Sequence, residues 1–442
     1  MAVFLVLNAF VLSGVLWLAA PAGEVGNPPV RVKETVLQHT WDVLHARGGD
    51  DSWGIISAAL DYAQKPHTTP LYSEIFFNRH IKFQYPPTAL FVVAGMRLID
   101  PGRIRVDDNY QAPLPSLDDM LGIAFLAMLA LSTAALFELR LRQTQAFADC
   151  HGSLVVVRVV LVVAFTLTFY PAVKAFSLGQ IQVWINGLFA LALLCWIAGR
   201  KGMGGALVGL ICLIKPHYGI FLLWATLRRE WRFTIACALT GAIGLAASIV
   251  VFGFADHVDY LRALSYMSQH GESYYPNQSM NGLLNRLMSV AEPALYGNLE
   301  FFVDRFPPFN PWVYGGTMLA AAVILLSALI HRQRDRAVDF CTMAVSATIA
   351  SPIAWEHHYG ILLPVFAVLL ATVPASRGRL VWFLASYVLA SAFVPAANLL
   401  APTVLNVAQS YLFMAAVILL VLLHTWQSPM ALGGALRAGT SI

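Results

Sequence analysis

Long apolar runs alternate with short polar connections along the chain, and two polar stretches are much longer than the rest. Runs of roughly 17–25 apolar residues predict helices long enough to cross a bilayer. Such runs fall at 2–20, 118–138, 153–173, 178–198, 203–227 and 233–254. More follow near 313–330, 338–355, 358–375, 379–396 and 409–427, and a shorter run at 87–99 makes twelve candidates. The expected fold class is an all-α polytopic membrane protein with about 12 transmembrane helices. Residues 1–442 form one integral membrane domain, with large loops at 21–86 and 255–312. The first run has the length of a span rather than of a signal-peptide core, and no Lys or Arg precedes Arg31. An uncleaved span is expected there. No repeat of 20–50 residues is visible, although inverted repeats leave little trace in sequence.

Composition sharpens the class. The chain is 58% hydrophobic and 12% charged, about half the charge of a soluble domain. The net charge of +4 fits an excess of Lys and Arg in cytoplasmic loops and gives no nucleic-acid patch. The five cysteines form no CxxC pair, and four lie in apolar runs. Buried thiols are expected, with no disulfide framework and no metal site.

Basic clusters orient the chain. "LRREWR" (227–232), "HRQRDR" (331–336) and "SRGR" (376–379) should be cytoplasmic, which puts both long loops and the edge at Glu356 to His358 on the other side. The reading carried forward has twelve spans. It leaves Arg140, Arg142, Arg200 and Lys201 on the outer side, against the charge rule. In the alternative, 87–99 is re-entrant and 203–227 is a broken hairpin around Lys215 and Pro216, and those charges move inside.

Ionisable groups at membrane depth are costly and point to function. "GGDDSWGIISAALDYA" (48–63) puts Asp50 and Asp51 before an amphipathic helix, as N-caps or as a general base. "FQYPPTALF" (83–91) ends a loop with two prolines, and Tyr85 suits an interface. "SLGQIQVWING" (177–187) brings Gln180, Gln182 and Asn186 into an apolar run, where helix glue and a sugar-binding face are both open. Lys215 stands about twelve residues from either end of 203–227, too deep to snorkel, with Pro216 and His217 next to it. A compact cation there suits a lipid phosphate. "ESYYPNQSMNGLLNRL" (272–287) mixes aromatic rings with Asn277 and Gln278, a composition that suits sugar hydroxyls. "SPIAWEHH" (351–358) sets Glu356, His357 and His358 side by side. Adjacent histidines on a helix point about 100° apart, which does not make a metal pair.

Taken in order, "FQYPP", "SLGQIQ", "LIKP", "NQSMNGLLNRL" and "SPIAWEHH" resemble the membrane glycosyltransferase family 87. The resemblance runs from about Asp50 to His358. It implies the membrane transferase fold called GT-C and a polyprenyl-phosphate sugar donor, with mannose the default and arabinose the other option. It also implies an acceptor hydroxyl on a lipid or glycan, inversion at the anomeric carbon, no nucleotide sugar and no cofactor. The setting it implies is a bacterial plasma membrane with the site on the extracytoplasmic side. The family's first-loop aspartate falls on Asp51 by spacing, with Asp50 the alternative. The Leu, Val and Tyr that accompany it in the family are missing here.

The roles expected are therefore these. Asp51 is the general base, and Lys215 with His217 holds the lipid phosphate. His357 or His358 meets the phosphate or orients the base. Glu356 fixes a histidine tautomer, and Gln180, Tyr85, Asn277 and Gln278 face the sugar or acceptor. A secondary transporter or lipid flippase also carries charges at membrane depth, but its charges line a path open to both faces.

Overall fold

The structure is a computed structural model that describes residues 9–15, 24–25, 30–31, 35–100, 102, 116–143, 152–288, 306–372, 376–394, 397, 400 and 403–426. Most of the expected first span, parts of both long loops and Cys150 lie outside the described residues. Apart from a two-stranded ladder of Glu24–Val25 with Val30–Arg31, the described chain is helical.

Among the described residues, four helices are long and apolar enough to cross a membrane: Leu117–Gln143, Trp231–Phe252, Pro311–Ile330 and Val404–His424. A fifth candidate is the pair Leu154–Leu167 and Tyr170–Ser177, bent by 59°. Elsewhere the apolar runs resolve into shorter helices, so a run of span length in sequence is not one straight helix here. In chain order, the loop helices are α1 (Val36–Leu44), α2 (Trp53–Ala63) and α3 (Leu90–Ile99). The body continues with α4 (Leu117–Gln143), α5 (Gly152–Leu167), α6 (Tyr170–Ser177), α7 (Gln182–Ile197), α8 (Lys201–Cys212), α9 (Ile220–Leu227) and α10 (Trp231–Phe252). The second loop holds α11 (Phe254–His270) and α12 (Met280–Met288). The remainder is α13 (Pro311–Ile330), α14 (Arg336–Ile349), α15 (Leu362–Leu370), α16 (Arg377–Ser391) and α17 (Tyr411–His424).

Local chemistry sets several boundaries. Asn310 caps α13, accepting from the backbone of Trp312 at 2.9 Å and Val313 at 3.3 Å, with Pro311 at the first helical position. Asp335 caps α14 in the same way. Gly253, at φ +87°, turns α10 into α11.

Two ends of the body are chemically distinct. At one, Arg228 is buried and binds Asp339 at 2.8 Å, with the carbonyls of Leu329 and Ala328 at 2.7 and 3.0 Å. Arg140 pairs with Asp335 at 2.5 Å, and Lys201 pairs with Glu230. The start of α8, the end of α9, the start of α10, the end of α13, the start of α14 and the end of α4 therefore share this basic end. At the other end lie the loop helices. The backbone N–H of Gly48 donates to Asp119, near the start of α4, at 2.8 Å. Leu71 N–H donates to Asp256 at 2.9 Å and Ser73 N–H to Asp259 at 2.6 Å, tying the first loop to α11.

These contacts correct the twelve-span path in two places. Lys201 and Glu230 flank 203–227 and touch each other, so this segment leaves the basic end and returns to it. The turn is at Lys215, where the 12 residues of α8, about 18 Å of rise, give way to Pro216. Residues 87–99 also fail to run from end to end. Thr88 donates its hydroxyl to the Leu213 carbonyl beside that turn, and Arg97 pairs with Asp61 of α2 at 2.5 Å. These contacts fit the hairpin and re-entrant alternative. It also moves Arg140 and Lys201 to the end where the charge rule wants them.

Candidate active site

Two glycine-bearing turns build the site. Gly179 has φ +68°, and a Cβ there would stand 1.8 Å from the Gly49 carbonyl oxygen. Only paired glycines let the "GGDD" and "SLGQ" turns approach this closely. Asp51 N–H then donates to Leu178 O at 3.1 Å and Ser52 N–H to Gly179 O at 3.2 Å. The loop carboxylate is thereby fixed against the helical body.

Gln180 sits beneath it. Its Oε1 accepts from the Ser52 hydroxyl at 2.9 Å and the Tyr85 hydroxyl at 3.3 Å, so its Nε2 is left to donate to Asp51 Oδ2. Ser52 Oγ in turn accepts from Ile181 N–H at 3.0 Å. Asp51 makes no helix cap: α2 begins after Ser52, with no side-chain cap. Burial pushes the Asp51 carboxyl above the ordinary aspartate range. The Gln180 hydrogen bond and Lys174 oppose that shift, while Asp50 and Glu272 add to it.

Across from Asp51 stands the turn of the α8–α9 hairpin. Lys215 Nζ contacts His358 Nε2. The rings of His357 and His358 meet edge to face at 4.8 Å. The turn that carries them is held from behind by Glu356, which accepts from Tyr170 Oη at 2.7 Å and Tyr411 Oη at 3.5 Å.

One cavity of about 1000 Å³ is walled by Asp51, Tyr85, Gln180, Lys215, His217, His357 and His358 together. Those seven positions come from five separate stretches of sequence, and they converge at the end away from the basic cluster. Charge gathered on one side of a water-accessible hollow can bind an anionic group, and a carboxylate of raised pKa facing it can take a proton. Among the described residues, no group of three His, Cys, Asp or Glu side chains is placed to hold a metal ion.

Four expected residues do not line this cavity: Asp50, Glu356, Asn277 and Gln278. Asn277 donates to the carbonyls of Glu272 and Pro352 at 2.8 and 3.1 Å and accepts from Ala354 N–H at 3.0 Å. Gln278 accepts from Leu412 and Phe413 N–H at 3.2 and 3.3 Å and donates to Tyr275 O and Gln409 O, both at 2.7 Å. Both amides are fully buried and clamp the second loop to the frame. Gln182 and Asn186 bond to each other at 2.9 Å, buried within α7.

Sequence reasoning missed Lys82 and Trp355, which are also on the wall. Buried Glu272 accepts from Trp355 Nε1 at 2.6 Å and pairs with Lys82 at 3.5 Å, so one carboxylate ties the first loop to the histidine turn. Lys82 lies three residues before Tyr85, within reach of a closer look at "IKFQYPP". Nothing local in sequence marks Glu272 as its partner.

A family model described as "Glycosyltransferase family 87" matches residues 83–354. Among curated proteins, the chain is 24% identical over 213 residues to a "polyprenol-phosphate-mannose-dependent alpha-(1-2)-phosphatidylinositol mannoside mannosyltransferase" of Mycobacterium tuberculosis, covering 48% of this chain and 46% of that protein. It is 27% identical over 228 residues to a protein of the same description from Mycolicibacterium smegmatis, covering 49% and 47%. The chain spans about half the length of the curated relatives it matches. No solved structure matches it significantly.

Proposed function

The chain belongs to glycosyltransferase family 87, and from that premise we propose that it moves a sugar, mannose by default, from a polyprenyl phosphate to an acceptor hydroxyl on a lipid or glycan. It acts as a GT-C type enzyme in the bacterial plasma membrane. The single observation that carries this reading is the cavity shared by Asp51, Lys215 and His358. The residues matched by the family model include Tyr85, Gln180, Lys215 and His217 on its wall.

Asp51 takes the proton of the acceptor hydroxyl. The acceptor oxygen then attacks the anomeric carbon from the face opposite the phosphate, the anomeric C–O bond breaks, and the electron pair leaves with the polyprenyl phosphate. Lys215 lies where that dianion would form and stabilises the charge that develops there. His358, in contact with Lys215, and His217 complete the phosphate side. Gln180 aims Asp51, and Tyr85 fixes Gln180. Asp50, one residue away, is the alternative base, and Glu356 positions the turn that carries the two histidines. Asn277 and Gln278 hold the loop rather than the sugar. The basic clusters at 227–232 and 331–336 lie at the end away from the cavity, which supports an extracytoplasmic site with the two loops over it.

Purified protein in sealed proteoliposomes, given radiolabelled polyprenyl-phosphate mannose and membrane lipid extract, should form a labelled glycolipid. If the donor is instead carried across the bilayer unconsumed, the protein is a transporter and this reading fails.

A further inference from the structure

The end opposite the catalytic cavity carries a second hollow, of about 310 Å³, whose walls include four arginines and two carboxylates. Both carboxylates are already committed. Asp339 binds Arg228 at 2.8 Å, and Glu230 pairs with Lys201. Arg228 is itself satisfied, since three backbone carbonyls complete its shell. That leaves Arg332, Arg334 and Arg336, which are exposed. Among the described residues, their guanidinium groups have no hydrogen-bond or ion-pair partner. Three planar cationic forks around one hollow, beside a carboxylate that another lysine neutralises, select for a phosphate-like anion.

The rim narrows the source of that anion. Leu227, Trp231 and Ile330 border the hollow in sequence and are 52%, 55% and 77% exposed. They stand at the ends of α9, α10 and α13. The apolar windows of α10 and α13 are only 17% and 22% buried, as expected for helices whose sides face acyl chains. A tryptophan at the start of such a helix marks the headgroup level. A small free anion would use the arginines and ignore this apolar rim, whereas a phospholipid uses both. The hollow is also separate from the catalytic site. α14 runs from Arg336 to Ala347 on the cavity wall, about 17 Å along its axis.

We propose that the hollow binds the phosphate headgroup of an anionic membrane phospholipid, with Arg332, Arg334 and Arg336 around the phosphate and the acyl chains along the exposed faces of α10 and α13.

Native mass spectrometry of the purified protein tests this with phosphatidylglycerol, phosphatidylcholine and inorganic phosphate as probes. Wild type should retain phosphatidylglycerol over phosphatidylcholine. The variant Arg332→Gln/Arg334→Gln/Arg336→Gln should lose about tenfold or more in phosphatidylglycerol affinity, with phosphatidylcholine unchanged. Unchanged phosphatidylglycerol affinity in that variant overturns the proposal. Inorganic phosphate binding as well as the lipid does so too, since the site is then one for a small anion. Should the triple variant lose its thermal transition, Arg334→Gln and Arg334→Lys replace it. The first should weaken binding several-fold and the second should restore most of it; equal affinity of both with wild type overturns the assignment.

Discussion

Asp51 is a carboxylate whose surroundings pull its pKa in opposite directions, and that makes the site testable by pH. Burial raises it and the Gln180 hydrogen bond lowers it. A general base works only when deprotonated, so kcat/KM should rise with pH through the Asp51 pKa, at a value above the ordinary aspartate figure of about 4. Gln180→Leu removes a bond that favours the charged form and should move that acid limb to still higher pH. A limb that stays put in Gln180→Leu would separate Gln180 from the base. Gln278 makes the opposite case. Gln278→Ala orphans the backbone N–H groups of Leu412 and Phe413, each worth about 1–3 kcal/mol when left buried without a partner. A lower melting temperature with unchanged donor KM is expected; a raised donor KM at full stability would return Gln278 to the sugar. In sequence, Lys215 and the histidines stand out because an ionisable group in or beside an apolar run needs a reason to be there, whereas Asp51 stands out by its place in the motif order. Asn277 and Gln278, expected at the sugar, bond backbone groups instead, because a loop amide satisfies a backbone carbonyl as readily as a hydroxyl.

Among the elements, the α8–α9 hairpin decides most. Apolar length alone makes 203–227 a span, yet the helix ends at Cys212, Lys215 and Pro216 stand about halfway along the segment, and the chain turns back. A lysine in the middle of a straight span is costly; at the tip of a hairpin facing a polar cavity it is not. The window that finds spans counts apolar residues and is blind to such a break, whereas the paired charges Lys201 and Glu230 betray it. Single-cysteine variants at Arg200 and Arg229 should therefore react with an impermeant thiol reagent from the same side of sealed vesicles, while one at His80, on the cavity wall, should react from the other. Labelling of 200 and 229 from opposite sides would restore a full span between them.

At the scale of the whole molecule, the all-helical membrane class was plain from the composition, and the basic clusters led to the expectation that both loops and the Glu-His-His edge share one side. The count of spans was not, because loop helices, a hairpin and bent pairs all look like apolar runs. What the fold adds is convergence: a carboxylate from the first loop and a lysine from the hairpin tip share one cavity with the histidine turn. The most direct test measures donor binding and sugar transfer separately in Asp51→Asn and Lys215→Gln. Asp51→Asn should bind polyprenyl-phosphate mannose about as well as wild type and transfer its sugar 10²–10⁴-fold more slowly, while Lys215→Gln should bind the donor more weakly. Near wild-type transfer by Asp51→Asn and Asp50→Asn alike, or undiminished donor binding by Lys215→Gln, would contradict the account.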